Sequence, residues 1–341
     1  MVNVGSIPLS NGRRLPLLGL GTWLASDEAQ LTNALRAAFD ADYRYIDTAE
    51  IYANEQVVGA VLKEYIDAGK LKREDVFITT KLPFYGHDNP SYFIEQSLKK
   101  LQTDYIDLYL IHSPLPMKKI NEGEAIPEGV TPFVRKSPGT GETVTLIPNL
   151  YPFIDTWRVL EKYYNDGKLK ALGVSNFNEE QLQGLYDQAT MKPQNIQVEC
   201  HILFQQKSLF NLCKKLNITL TAYGPIGSPG RGAFLKGSSF VNASPMEHPL
   251  VKRLAQKYGK TPAQILIRQL MQRGISTIPK STNPNRVREN FNVLDFEFTP
   301  EEMAEFEAIT QKENTRIFLF DFALSHPWHP WRAEVEKILA Q

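Results

Sequence analysis

The sequence predicts an α/β chain folded as a (β/α)8 barrel, and three observations carry that expectation. Short apolar, β-rich segments recur eight times, at 17–23, 43–49, 75–82, 104–112, 170–176, 195–200, 217–223 and 274–281. Between them, apolar residues fall three and four apart, as in Val57, Val58, Val61, Leu62, Tyr65 and Ile66, or Ile94, Leu98 and Leu101, which is the spacing of a helix that buries one face. The strand segments are nearly continuous apolar runs, as parallel strands covered on both faces are, and eight such units suffice to close a barrel. An open, doubly wound sheet is the alternative.

Taken in order, the elements are punctuated consistently. The opening IPLSNGRRLPLL reads as a hairpin turned at Asn11-Gly12, a two-residue turn signal, and forms a flap ahead of the barrel. Asn89-Pro90, Thr261-Pro262 and Asn283-Pro284 each set an N-cap residue before a proline at the first helical position, where a missing N–H is harmless. Gly69 and Gly274 stand where helices should stop. Three stretches exceed ordinary connections: 113–151, 224–246 and the tail from about 311. In a barrel the first two are long loops after strands 4 and 7, and with the C-terminal tail they build one face. The whole chain, 1–341, is expected to be one domain.

Composition narrows the function. The 341 residues are 42% hydrophobic and 22% charged, ordinary values for a soluble globular chain. Thirty-eight basic residues balance thirty-eight acidic ones, so no global field points to nucleic acid or an anionic membrane, and a small-molecule partner is expected. Cys200 and Cys213 have no metal-ligand spacing and cannot make a disulfide framework, which suggests a reducing compartment and no metal. The N-terminus has no apolar signal core, no stretch is long enough to span a bilayer, and KILAQ is no obvious targeting tag, so the cytoplasm is expected. A monomer is the expected state, with a dimer as the alternative.

Active sites of such barrels lie at the C-terminal ends of the strands. Asp47 ends the second strand segment, Tyr52 follows five residues on, Lys81 ends the third and His112 the fourth. Taken singly, each has a structural explanation: a helix cap, a core cover, a solvated strand end, a core histidine. Together they make coherent chemistry. A phenol is a poor proton donor at neutral pH, but a nearby ammonium stabilises the phenolate and a carboxylate holds the ammonium in place, while histidine orients a carbonyl oxygen.

At these residues the chain resembles the aldo-keto reductases of the aldose, aldehyde and xylose reductase type. The resemblance rests on DTAEIYANE (47–55), TTKL (79–82), DYIDLYLIH (104–112), GVSNF (173–177), NIQVECH (195–201) and IPKSTNPNRVREN (278–290), in order over nearly the whole chain. It implies that Asp47, Tyr52, Lys81 and His112 form a catalytic tetrad, and that a nicotinamide hydride reduces an aldehyde or ketone while the tyrosine protonates its oxygen. The implied activity is that of an NADP-dependent alcohol dehydrogenase or carbonyl reductase. Relatives that reduce carbon–carbon double bonds carry glutamate at the position of His112.

The cofactor is not signalled by a Rossmann fingerprint, since GLGTWL has Leu24 where the third glycine belongs. The resemblance instead implies that Thr22 contacts the ribose or pyrophosphate region, that Ser175, Asn176 and Gln197 bond the nicotinamide carboxamide, and that Tyr223 stacks under the ring. Ser228 joins this cofactor set. Lys280, Ser281 and Arg286 gather two cations and a hydroxyl around a helix N-terminus, an anion site by its chemistry. In the family the matching positions hold the 2′-phosphate of NADPH, and those of Glu289 and Asn290 contact the adenine, so NADP is expected over NAD. Three departures concern the pocket and its cover. Ser113 stands where some relatives carry tryptophan and Pro83 where many do, and Gly230 stands where an aspartate often ties the loop over the pyrophosphate. Trp23, Ile51, Phe84 and Ser113 are the expected substrate contacts, with Phe318 and Phe320 of the tail as further candidates. Two other functions remain open: a non-catalytic nucleotide-binding barrel that docks on a partner, and a barrel hydrolase or isomerase, which would need the carboxylate pair or metal cluster that is not seen in the sequence.

Overall fold

The computed structural model describes residues 4–121, 123–136, 142–231, 244–310 and 316–340. It opens with an antiparallel hairpin, β1 (Ser6–Pro8) paired with β2 (Arg14–Pro16). The loop between them is longer than a two-residue turn. Leu9 N–H donates to Arg13 O at 2.8 Å and Gly12 N–H to Leu9 O at 2.9 Å, leaving three residues in the loop. Gly12 closes it at φ +83°, a left-handed conformation that costs glycine nothing. Leu9 and Leu15 are buried with Tyr45, Phe77, Leu108 and Ile278, so the hairpin plugs the barrel where its strands begin.

Eight parallel strands make the barrel: β3 (Leu20–Gly21), β4 (Tyr45–Asp47), β5 (Phe77–Leu82), β6 (Leu108–Ile111), β10 (Leu172–Ser175), β11 (Asn195–Glu199), β12 (Thr219–Tyr223) and β13 (Ser276–Thr277), neighbours in that order. The two ends of the sheet join. Thr277 N–H donates to Leu17 O at 2.9 Å, Gly19 N–H to Thr277 O at 2.9 Å and Gly21 N–H to Pro279 O at 3.1 Å. Each strand lies within one of the eight apolar segments, and closure removes the edges that an open sheet would leave.

Helices cover the outside, among them Glu28–Asp40, Glu55–Asp67, Pro90–Leu101, Glu179–Gln188, Pro262–Gln272 and Pro284–Phe291. Their apolar faces are the ones the periodicity marks: Val57, Val58, Val61, Leu62, Tyr65, Ile94, Leu98 and Leu101 are all buried in one cluster with Ile46, Ile78, Tyr109 and Val174 of the strands. Thr261 and Gln264 form a reciprocal capping box ahead of helix Pro262–Gln272. Asn283 caps Pro284–Phe291 through the N–H groups of Asn285 and Arg286. Asn89 departs from the pattern, because Pro90 occupies the first position but the Asn89 side chain makes no cap bond.

Residues 113–151 hold a second sheet where a long loop was expected. β9 (Thr143–Pro148) pairs antiparallel with β7 (Met117–Ile120) on one side and β8 (Phe133–Lys136) on the other. Leu146 faces Lys119 and Phe133 across this ladder. Met117 and Leu146 are buried with Ile51, Phe84, Leu115 and Ala323, with Tyr52, Phe133, Phe320 and Phe322 packed against them. One apolar layer therefore joins this sheet, the tail and the mouth of the barrel. The expected loop 224–246 is only partly described, since residues 232–243 lie outside the described residues, as do 311–315 of the tail. No helix among the described residues is long and apolar enough to cross a membrane.

Candidate active site

The strand ends bring Asp47, Tyr52, Lys81 and His112 together. Asp47 closes β4, Lys81 is the penultimate residue of β5, and His112 directly follows β6. Tyr52 enters on a 3-10 turn, Glu50–Tyr52, that Ala53 ends at φ +53°. Lys81 is fully buried and its Nζ donates to Asp47 Oδ1 at 2.6 Å, to Thr48 O at 2.8 Å and to the Tyr52 hydroxyl at 3.4 Å. The His112 ring meets the Tyr52 ring edge-on at 5.7 Å and lies nearly parallel to Phe84 at 5.5 Å.

The electrostatics differ from the expected lowering of the phenol's pKa by the ammonium. Burial, with the Asp47 carboxylate and the Tyr223 phenol adding to it, pushes the Tyr52 hydroxyl well above the ordinary phenol value. Burial also pulls the Lys81 ammonium below its usual value and pushes the Asp47 carboxyl above its own, each against the attraction of the other. The physical reason is that removing water penalises every charged form at once, and one ion pair offsets only part of that. Tyr52 is thus held protonated before any reaction, and Lys81 stands where a phenolate would form.

The residues assigned to the cofactor surround this group. Thr22, immediately after β3, donates its hydroxyl to Asp47 O at 3.0 Å. Ser175 ends β10, and Asn176, at φ +63°, donates to His112 O at 2.9 Å and to Ser175 Oγ at 3.0 Å. The Tyr223 hydroxyl at the end of β12 donates to Asn176 Oδ1 at 2.8 Å. Gln197 points into the tetrad itself, its amide donating to Asp47 Oδ2 at 2.7 Å. Ser228 sits at φ +47° in the loop beyond β12, and its carbonyl accepts the Arg231 N–H at 3.0 Å.

Further round the rim, Lys280 follows β13 and Arg286 lies exposed on helix Pro284–Phe291, with Glu289 exposed and Asn290 buried beyond it. Burial holds the Lys280 ammonium below its ordinary value, and no carboxylate lies within ion-pair reach of it among the described residues. A half-buried cation in that state favours an anion. The helix N-terminus contributes less than its position suggests, because Asn283 already accepts the N–H groups of Asn285 and Arg286 at 2.9 and 3.2 Å. An anion here would be held by the side chains of Lys280, Ser281 and Arg286, and these fit a phosphate.

The expected apolar contacts also converge. Trp23 meets Phe318 edge-on at 5.5 Å, and Phe318 meets Tyr223 at 5.6 Å. Phe84 approaches Phe322 at 6.3 Å, which stacks on Phe133 at 4.2 Å. Ile51 is buried in the same layer, and Ser113 is fully buried with its hydroxyl unpartnered among the described residues. The tail aromatics belong to the mouth of the barrel and not to its exterior.

Two groups were not picked out from the sequence. Asn54 is buried behind the tetrad, accepting the Thr48 hydroxyl at 2.7 Å and donating to Thr22 O at 3.0 Å. Glu199 lies two residues after Gln197 on β11, and strand alternation could have marked it as facing the same side. Among the described residues, no cluster of three or more His, Cys, Asp or Glu side chains could hold a metal.

Comparison with known proteins gives the family and the fold. The model of the Aldo/keto reductase family matches residues 17–311. Aldo-keto reductase family 1 member A1 of Bos taurus is 39% identical over 308 residues, 89% of each chain. The 9,11-endoperoxide prostaglandin H2 reductase of Trypanosoma cruzi is 38% identical over 311 residues, covering 91% of this chain and 93% of that one. Among solved structures, the aldose reductase of Schistosoma japonicum superposes with a TM-score of 0.81 at 33% identity, over 97% of this chain and 99% of its own. A Bombyx mori aldo-keto reductase solved in complex with NADP also gives 0.81, at 32% identity, over 97% and 100%. On the strength of a family match that spans most of the barrel, the chain belongs to the aldo/keto reductase family.

Proposed function

We propose that the protein is an NADPH-dependent reductase of aldehydes or ketones, with Tyr52 as general acid. The observation that carries this reading is the chain Asp47–Lys81–Tyr52, at 2.6 and 3.4 Å, beside His112 at the open end of the barrel. NADPH, when bound, supplies the hydride to the carbonyl carbon. His112 donates a hydrogen bond to the carbonyl oxygen and fixes its direction. Tyr52 gives its phenolic proton to that oxygen, and the phenolate left behind is stabilised by the Lys81 ammonium, which Asp47 holds. Asp47 is itself pinned by Gln197, so the proton donor, its cation and the cation's counter-ion form one connected set.

Lys280, Ser281 and Arg286 would hold the 2′-phosphate, with Glu289 and Asn290 beside the adenine. Ser175, Asn176 and Tyr223 would frame the nicotinamide, while Thr22 and Ser228 flank the middle of the cofactor. Trp23, Ile51, Phe84 and Ser113 would line the carbonyl pocket, a largely apolar wall that suits an aromatic or aliphatic aldehyde. A binding-only role would not require all four polar groups to meet at one end of the barrel.

The test is a titration of the purified protein with NADPH, followed by nicotinamide absorbance on addition of aldehydes, sugars, ketosteroids and quinones in turn. Cofactor binding together with turnover of at least one carbonyl class is expected. Binding with no turnover across the panel would favour the non-catalytic reading.

A further inference from the structure

Strand β11 delivers two polar side chains to the same side of the barrel. Gln197 bonds Asp47, and Glu199, two residues on, turns to the C-terminal tail. Glu199 is almost completely buried, and its carboxylate is fully engaged by donors. Oε1 accepts the Ile317 N–H at 2.6 Å and the His201 Nε2–H at 2.8 Å, and Oε2 accepts the Phe318 N–H at 2.9 Å. A carboxylate that takes two successive backbone N–H groups fixes the direction of that peptide as well as its distance. The residue so fixed is Phe318, whose ring meets both Trp23 and Tyr223 edge-on, at 5.5 and 5.6 Å.

A second anchor flanks the same peptide. Arg316 makes a two-pronged pair with Glu334, at 3.1 and 2.9 Å, and its guanidinium covers the Trp331 ring at 3.9 Å and the Phe204 ring at 4.4 Å. Arg316 therefore secures the tail to its own last helix, Arg332–Leu339, and to the turn after β11. Glu199, by contrast, holds the backbone N–H groups of Ile317 and Phe318 themselves.

We propose that Glu199 is a positioning residue for the pocket: it clamps the Ile317–Phe318 peptide so that the Phe318 ring closes the seam between Trp23, after β3, and Tyr223, at the end of β12. This rests on the reading of the site as a carbonyl pocket over a nicotinamide. Glu199 touches neither, and acts through Phe318. Without the clamp the ring leaves the seam, water reaches the face of Tyr223, and substrate and cofactor are held less tightly, while the tetrad that performs the proton transfer is unaltered.

Hydrogen exchange and steady-state kinetics on the full chain test this separately. Glu199→Gln keeps the shape and one acceptor oxygen but turns an amide N–H2 toward one of the two backbone donors. It is expected to speed exchange of the Ile317 and Phe318 amides at least tenfold and to raise KM for the carbonyl several-fold with kcat nearly kept. Phe318→Ala is expected to reproduce the KM change, and the double variant to be no worse than either alone. Unchanged exchange in Glu199→Gln, faster exchange with an unchanged KM, or additive effects in the double variant would each overturn the proposal. Should Glu199→Gln not fold, Phe318→Ala decides: an unchanged KM overturns it, and a raised KM with kcat kept supports it. A wild-type protein that binds no NADPH would instead sink the functional reading, leaving the exchange measurement as the test of the clamp.

Discussion

The amide of Gln197 donates to Oδ2 of Asp47 at 2.7 Å, joining two residues 150 positions apart. The family resemblance places Gln197 at the cofactor, and in this structure its amide also completes the hydrogen bonding of the Asp47 carboxylate, whose other oxygen belongs to Lys81. Gln197 pulls the Asp47 pKa down against burial. Gln197→Leu is therefore expected to raise the Asp47 pKa further and to move the acid limb of the kcat profile to higher pH. An acid limb that stays in place would show that the bond does not set the charge of Asp47.

Breaking the buried ion pair should cost more than deleting it. Lys81→Met leaves the Asp47 carboxylate buried and unpaired, a loss on the order of 3 to 5 kcal/mol, whereas replacing both charges is often close to neutral. The double variant Asp47→Asn/Lys81→Met is expected to regain most of the melting temperature that Lys81→Met loses, though neither turns over. Equal melting temperatures for the two would mean that the pair is not coupled in stability.

Tyr52→Phe removes the proposed proton donor and little else. Turnover is expected to vanish, while the Kd for NADPH changes by less than about threefold, under 1 kcal/mol by the tenfold-per-1.4 relation. Because burial holds the phenol above its ordinary value, the wild-type rate should also persist to higher pH than a free phenol would allow. Loss of rate well below that range would place the proton elsewhere.

On the proposed reading, cofactor choice turns on Arg286, which is exposed on the helix that follows Lys280 and Ser281 in the chain. A charge-assisted contact contributes on the order of 1.5 to 3 kcal/mol, so Arg286→Ala should weaken NADPH roughly tenfold to a hundredfold and NADH little. Calorimetric titration with both cofactors settles this, and equal losses would assign Arg286 to the fold.

The tail should detach in acid. His326 and His329 repeat one arrangement: Nδ1 accepts the N–H of a tryptophan two residues on, at 3.1 and 3.3 Å, and Nε2–H donates to Pro116 O at 2.9 Å and Phe320 O at 3.2 Å. Both rings must be neutral to accept at Nδ1. Burial, with Arg332 adding to it, lowers the His326 pKa, and burial with Arg332 and Arg316 lowers that of His329 to about 4. A depressed histidine stabilises fully above its unfolded value, about 6.5, and that contribution is lost as pH falls from there toward about 4. Proteolytic nicking of residues 316–331 should increase over that window, and a His329→Ala variant should be nicked at neutral pH already.

On the proposed reading, His112 sets the reaction class. An enone, if accepted, is expected to give the allylic alcohol, because the imidazole fixes the carbonyl oxygen and Tyr52 protonates it. Product analysis of the wild-type enzyme decides this, since a saturated ketone would remove His112 from that role. His112→Glu is expected to lower carbonyl reduction severely.

The barrel and the convergence of Asp47, Lys81 and His112 at one end of it were legible in the sequence, and the reason is local. Apolar runs with period-3.6 segments between them specify strand and helix without reference to the rest of the chain, and a parallel strand's last residues must face the same end of the sheet. Asp47, Lys81 and His112 are therefore placed by their positions in β4, β5 and at the end of β6 alone. The sheet in 113–151 was less legible, although TVTLIP alternates as a strand does, because its partners MKKI and FVRK are short and polar and pair only through β9. Only the tertiary structure decided the rest. The direction of the Tyr52 pKa depends on how much water is excluded, which no spacing encodes. That Gln197 serves Asp47, that Glu199 grips Ile317 and Phe318, and that Phe133 reaches Phe84 through Phe322 are contacts between segments far apart in the chain. Such contacts exist only after the barrel has closed and the tail has crossed its mouth.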